Sequence, residues 1–175
     1  MPKTTDLTLM SPVSGNVIPL TQVNDPVFSQ ELMGKGFGVE PNDNNVYAPV
    51  SGTVAYVAET LHAFGMKTDD GAEVLVHMGI NTVELSGKPF KLSISADQKI
   101  KAGQEIGTMD VQQIKDSGRP TTVIVAITNT ADYLKDIHVQ TGLKKLKKQE
   151  LLLFLKTLNL QTRKIFRTQK LQQKS

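Results

Sequence analysis

Along the chain, apolar residues gather in short runs separated by polar turn residues. The runs at 36–40, 53–59, 64–68, 73–78, 90–94, 105–111, 121–127 and 150–156 carry Val, Ile, Leu, Phe or Met over the length of a strand. The breaks between them hold turn chemistry: Asn42-Asp43-Asn44-Asn45, Asp69-Asp70-Gly71, Gly87-Lys88-Pro89, Lys101-Ala102-Gly103 and Asp116-Ser117-Gly118. Helical periodicity is weak, and only 111–115 and 130–136 read as short helices. Short strands at close spacing predict an all-β fold, an antiparallel sandwich or barrel with short helical turns.

One stretch occurs twice. Ser11-Pro12-Val13-Ser14-Gly15-Asn16-Val17 returns 37 residues later as Ala48-Pro49-Val50-Ser51-Gly52-Thr53-Val54. Each copy reads as a Pro-led segment, a Ser-Gly turn and then a strand. A tight turn with positive φ would account for each glycine. The pair predicts a duplicated β unit; chance recurrence of a common turn is the alternative.

The run Glu73-Val74-Leu75-Val76-His77-Met78-Gly79 carries the first candidate chemistry. Strand alternation places Val74, Val76 and Met78 on one face, which reads as core. His77 then lies on the other face beside Leu75, expected to be exposed. Asp70-Gly71 predicts a hairpin between 64–68 and 73–78. Centred on Asp69 and Asp70, that hairpin sets His62 opposite His77. Directly opposed residues have Cβ atoms about 5 Å apart, so the two rings would share one site. Two unrelated surface histidines is the other reading. His138 reads as an ordinary surface residue.

Two imidazoles are too few for a zinc site, which takes three or four protein ligands, and no HxH or HExxH is present. A neutral imidazole nitrogen can instead accept a phosphoryl group, with the second ring assisting. Thr60, two residues before His62, is placed to fix the tautomer of one ring. No Walker or kinase glycine loop is visible, which favours a donor protein over a bound nucleotide. No cofactor and no metal is expected.

Charge changes the picture at one point. The 175 residues have a net charge of +3. Residues 1–130 hold nine Lys and Arg against fourteen Asp and Glu, a balance of −5; residues 131–175 hold eleven against three, a balance of +8. The basic character therefore belongs to the end of the chain, and the acidic body argues against a nucleic-acid partner. Residues 157–175 have five basic residues and no acid, and read as a solvated tail beyond a domain at 1–156. No cysteine is present, which excludes disulfides and thiol catalysis and fits a reducing compartment. No apolar run reaches eighteen residues, so no transmembrane span is expected, and the N-terminal stretch has no signal-peptide core.

Taken together, Thr60-Leu61-His62-Ala63-Phe64 and Gly71-Ala72-Glu73-Val74-Leu75-Val76-His77-Met78-Gly79-Ile80-Asn81-Thr82-Val83-Glu84-Leu85-Ser86-Gly87-Lys88-Pro89-Phe90 closely resemble the glucose-type enzyme IIA family of the bacterial sugar phosphotransferase system. The likeness extends through Asp25-Pro26-Val27-Phe28, Met33-Gly34-Lys35-Gly36 and the strand at 121–128, and covers 7–156. The resemblance implies an antiparallel β-sandwich of duplicated hybrid-motif type. It implies a cytoplasmic phosphocarrier in which His77 accepts the phosphoryl group from HPr and passes it to an enzyme IIB domain of a sugar permease. It implies that His62 supports the transfer, and that Thr60 hydrogen-bonds within the site. Asp25, Val27, Phe28, Met33, Leu75 and Val83 match the family's partner-docking surface, although apolar residues of this kind are more often core. Most members carry Asp where Asn81 stands, so one negative charge beside the site is missing. A regulatory module that binds transporters or metabolic enzymes according to its phosphorylation state shares the same fold and is the alternative function.

Overall fold

The structure, a computed structural model, describes residues 7–130 and the backbone of three later strands, Ile137–Val139, Gly142–Lys144 and Leu155–Thr157. The strands in chain order are β1 (Gly15–Pro19), β2 (Lys35–Pro41), β3 (Asn45–Tyr47), β4 (Gly52–Val57), β5 (Ala63–Lys67), β6 (Glu73–Met78), β7 (Phe90–Leu92), β8 (Lys99–Ile100), β9 (Glu105–Met109), β10 (Val123–Ile127), β11 (Ile137–Val139), β12 (Gly142–Lys144) and β13 (Leu155–Thr157). Two short helices, α1 (Pro26–Ser29) and α2 (Val111–Asp116), interrupt them. The expected strand at 150–156 meets the described residues only in β13. Of the expected helix at 130–136 only Thr130 is among them, and the tail beyond Thr157 lies outside.

The strands pair in antiparallel fashion. The large sheet runs β12-β1-β2-β10-β6-β5-β4-β8, and a smaller one runs β3-β9-β7. The fold is the antiparallel β-sandwich that the pattern predicted. β11 and β13 form a separate pair, and the main core lies between the large sheet and β3-β9-β7, with Phe37, Val39, Phe64, Val74, Val76 and Met78 from one side and Val46, Phe90, Ile106 and Met109 from the other.

The repeat is built into this order. The two copies open β1 and β4, each starting at its glycine. They also clasp one another. Met10 N donates to Pro49 O at 2.8 Å, and Tyr47 N donates to Pro12 O at 2.7 Å. The shift of 37 residues carries one bond onto the other. The turn explanation for the glycines fails, however. Neither Gly15 nor Gly52 has a positive φ. Each instead lies beside the backbone of its partner strand, where a Cβ would run into the carbonyl of Glu40 or of Lys67.

The β5–β6 hairpin differs from expectation by one residue. Ala63 stands opposite His77, and Lys67 opposite Glu73. Thr68 N donates to Ala72 O at 2.9 Å, so the loop is the three residues Asp69, Asp70 and Gly71 rather than a two-residue turn. Gly71 takes the left-handed position at φ +97 that such a loop demands.

Candidate functional site

His77 lies near the end of β6, between β5 and β10, with Ala63 and Ile124 as its cross-strand neighbours. Alternation holds as expected on the core face, where Val74, Val76 and Met78 are buried. The outer face does not match. Leu75 is 6% exposed, not open to solvent, because a second apolar cluster covers this side of the sheet. Leu20, Val23 and Phe28 pack down onto Leu75, Ala63, Ile80 and Ile124. Alternation separates two faces of a strand, but it cannot say that a connection folds back over one of them.

That cover forms for local reasons. Asp25 caps α1 by accepting from Val27 N at 2.9 Å, and Pro26 fills the first helical position, where no N–H is needed. The single turn of helix points Phe28 inward, 7% exposed, and sets its ring 5.2 Å from the His77 ring. Asp25-Pro26 was the legible sign of this helix, which the strand reading passed over.

The two histidines meet despite the shifted register. Their ring centroids are 5.1 Å apart, edge to face. Straight alternation from Ala63 would send His62 to the opposite side of the sheet. Leu61 breaks the extended path with a left-handed φ of 56, and Leu61 N donates to Ala58 O in a turn. The His62 ring thereby comes over to His77. Thr60 lies in the same turn, not on a strand, and its Oγ1 is 2.6 Å from His62 Nδ1.

The hydrogen bond of His77 decides its tautomer. Nδ1 is 2.7 Å from Gly79 O. A carbonyl only accepts, so Nδ1 carries the proton and Nε2 keeps its lone pair. Gly79 is what allows this. Its φ of +80 turns the carbonyl back toward the ring, and a Cβ there would collide with the Thr82 side chain. Burial holds the His77 imidazole below the usual histidine range; the Gly79 bond opposes the shift, His62 adds to it, and the Asp25 charge opposes it. Burial also lowers the His62 imidazole. At neutral pH both rings are therefore uncharged, and one presents a defined basic nitrogen.

Of the other expected docking residues, Val27 (42% exposed), Met33 (40%) and Val83 (48%) are open to solvent, and Asp25 is half-buried. Phe28 and Leu75 are buried rather than exposed. Leu32, absent from the sequence reading, is more exposed than any of these at 68%. Asn81 is exposed and adopts a left-handed φ of 59, a conformation asparagine tolerates well. Among the described residues, no group of three or more His, Asp or Glu could hold a metal ion, and no helix is long and apolar enough to cross a membrane.

Residues 7–133 match the family model described as phosphoenolpyruvate-dependent sugar phosphotransferase system, EIIA 1. The chain belongs to this EIIA family. It is 46% identical over 137 residues to the PTS system glucose-specific EIICBA component of Streptococcus pneumoniae, covering 77% of this chain and 19% of that protein. It therefore spans about a fifth of that longer relative. It is 38% identical over 127 residues to the PTS system glucose-specific EIIA component of Buchnera aphidicola, covering 73% of this chain and 79% of that one. Among solved structures, the glucose permease IIA from Mycoplasma capricolum superposes with a TM-score of 0.74 at 32% identity, over 86% of this chain and 96% of that chain. EIIA members are phosphotransferase components of the sugar system, and membership favours the carrier over the purely regulatory module.

Proposed function

We propose that this EIIA protein accepts a phosphoryl group on Nε2 of His77 from phospho-HPr and passes it to an enzyme IIB domain for coupled sugar uptake. One observation carries the assignment. The bond from Nδ1 to the Gly79 carbonyl leaves Nε2 as the basic nitrogen of a neutral, partly buried ring. In the transfer, Nε2 supplies the electron pair of the new P–N bond, and the donor imidazole of HPr leaves with the pair of the old one. Positioning and charge stabilisation supply most of the catalysis in such a step. His62 stands one ring away. With the Thr60 hydroxyl donating to its Nδ1, its Nε2 carries a proton and can donate to the phosphoryl oxygens. Asp25, Val27, Met33 and Val83 form the rim that meets partners, with Phe28 and Leu75 as the support below. The names of the relatives make glucose the first sugar to test, and the cytoplasm is the compartment where HPr would be met. Residues 1–156 act as the carrier domain and 157–175 as a basic extension.

The test is labelling from phosphoenolpyruvate through enzyme I and HPr, followed by chase into a panel of IIB domains. His77→Gln abolishes labelling. Stoichiometric labelling of that variant rules out His77 as the acceptor.

A further inference from the structure

Arg119 lies in the loop between α2 and β10 and plays no part in the site as described so far. Its guanidinium reaches three acceptors. Nε donates to Asn81 O at 3.1 Å, Nη1 donates to Ser117 O at 3.4 Å, and Nη2 donates to the Glu84 carboxylate. Asn81 and Glu84 bracket Val83 in the 3-10 turn Thr82–Leu85. The backbone of the same loop grips the residues just before that turn. Thr122 O accepts from Gly79 N at 2.9 Å, and Pro120 O accepts from Ile80 N at 3.1 Å. Residues 79–84 are therefore held at one end by main-chain bonds and at the other by the Arg119 side chain.

Within this segment Asn81 takes a left-handed φ of 59, and Ser86, two residues past its end, takes one of 54. Gly79, at its start, supplies the carbonyl that keeps the proton on His77 Nδ1.

The geometry points to Arg119 as a positioning residue for the phosphoryl acceptor. It holds residues 79–84 in place so that the Gly79 carbonyl stays on Nδ1 and Nε2 stays free. The inference rests on the carrier reading and deepens it. A planar fork bonds Asn81 O and Glu84 from two fixed nitrogens, whereas a lysine ammonium would have to reach both from a single nitrogen.

The experiment uses the full chain with Arg119→Met, Arg119→Lys and wild type. Imidazole nitrogen NMR above pH 7.5 reads the tautomer of His77, and single-turnover labelling by phospho-HPr reads the rate. Wild type shows the Nδ1–H form. Arg119→Met shows a mixture with the Nε2–H form and accepts phosphoryl on the order of tenfold more slowly, since small misplacements of reacting groups cost that much or more. Arg119→Lys falls between the two. A pure Nδ1–H form of His77 in folded Arg119→Met overturns the inference, whatever the rate. If Arg119→Met does not fold, Arg119→Lys decides by the same criterion. Failure of wild type to be labelled would instead refute the carrier reading, and the tautomer measurement would still stand.

Discussion

The two partly buried imidazoles link the chemistry of single residues to acidity. In the unfolded chain each titrates near its ordinary value of about 6.5. In the folded chain burial holds both lower. Above that value neither state takes up a proton, and the pair has no cost. As pH falls below it, the unfolded chain binds protons that the folded chain refuses, so stability declines until the lowered folded values are passed. Urea unfolding at pH 7.5 and 5.5 should show a smaller loss on acidification in His77→Gln than in wild type. Equal losses would mean that His77 does not contribute. The same lowering favours the unprotonated Nε2 of His77, the form the proposed transfer needs, more than in a free histidine at the same pH. In the proposed transfer His62 assists a later step. His62→Gln should still be labelled by phospho-HPr but deliver poorly to IIB, measured as label retained after the chase. The reverse pattern in the two glutamine variants would exchange their assignments.

At the scale of elements, two glycines in the loops flanking β6 behave differently. Gly71 and Gly79 both have positive φ, but nothing crowds the place of a Cβ at Gly71, while Thr82 occupies it at Gly79. Gly71→Asn should cost well under 1 kcal/mol, because asparagine accepts the left-handed region. Gly79→Ala should cost more, and it should also disturb the His77 tautomer; thermal unfolding and imidazole NMR read the two effects. Cover over the outer face gives a further contrast. Phe28→Ala opens the second cluster and should destabilise the fold by about 3 kcal/mol. Val27→Ala, on the exposed rim, should leave stability nearly unchanged and weaken partner binding. Much of this level was legible in the sequence. The period-two runs located β2, β4, β5, β6 and β10 within two residues, since both the turns and the core face leave local marks. The register of the β5–β6 hairpin was not, because Asp69-Asp70-Gly71 fits a two- or a three-residue loop equally well. The cover of Leu75 was not, because it comes from residues some fifty positions earlier. The meeting of His62 with His77 was inferred from the wrong register, and it occurs because Leu61 turns the chain.

Over the whole molecule, an acidic body carries the proposed acceptor site. Binding to a basic partner should weaken as salt rises, mainly through a slower association rate. Stopped-flow transfer from phospho-HPr at 50 and 300 mM salt tests this, and an unchanged rate would remove charge from the account of encounter. The strand order also sets a schedule for synthesis. In β10, Val123 pairs with Val39 of β2, 84 residues earlier, while β4, β5 and β6 pair with near neighbours in the chain. On a ribosome adding about 5–20 residues per second, β2 waits roughly 4–17 s with one edge unpaired. His77 waits as well, because its second neighbour, Ile124, arrives 47 residues after it. The middle hairpins are complete early, but on the proposed reading His77 should become competent only once β10 slides in between β2 and β6. Nascent chains halted before that strand should hold the histidine, take no phosphoryl group, and offer two open strand edges to any chaperone at the tunnel exit.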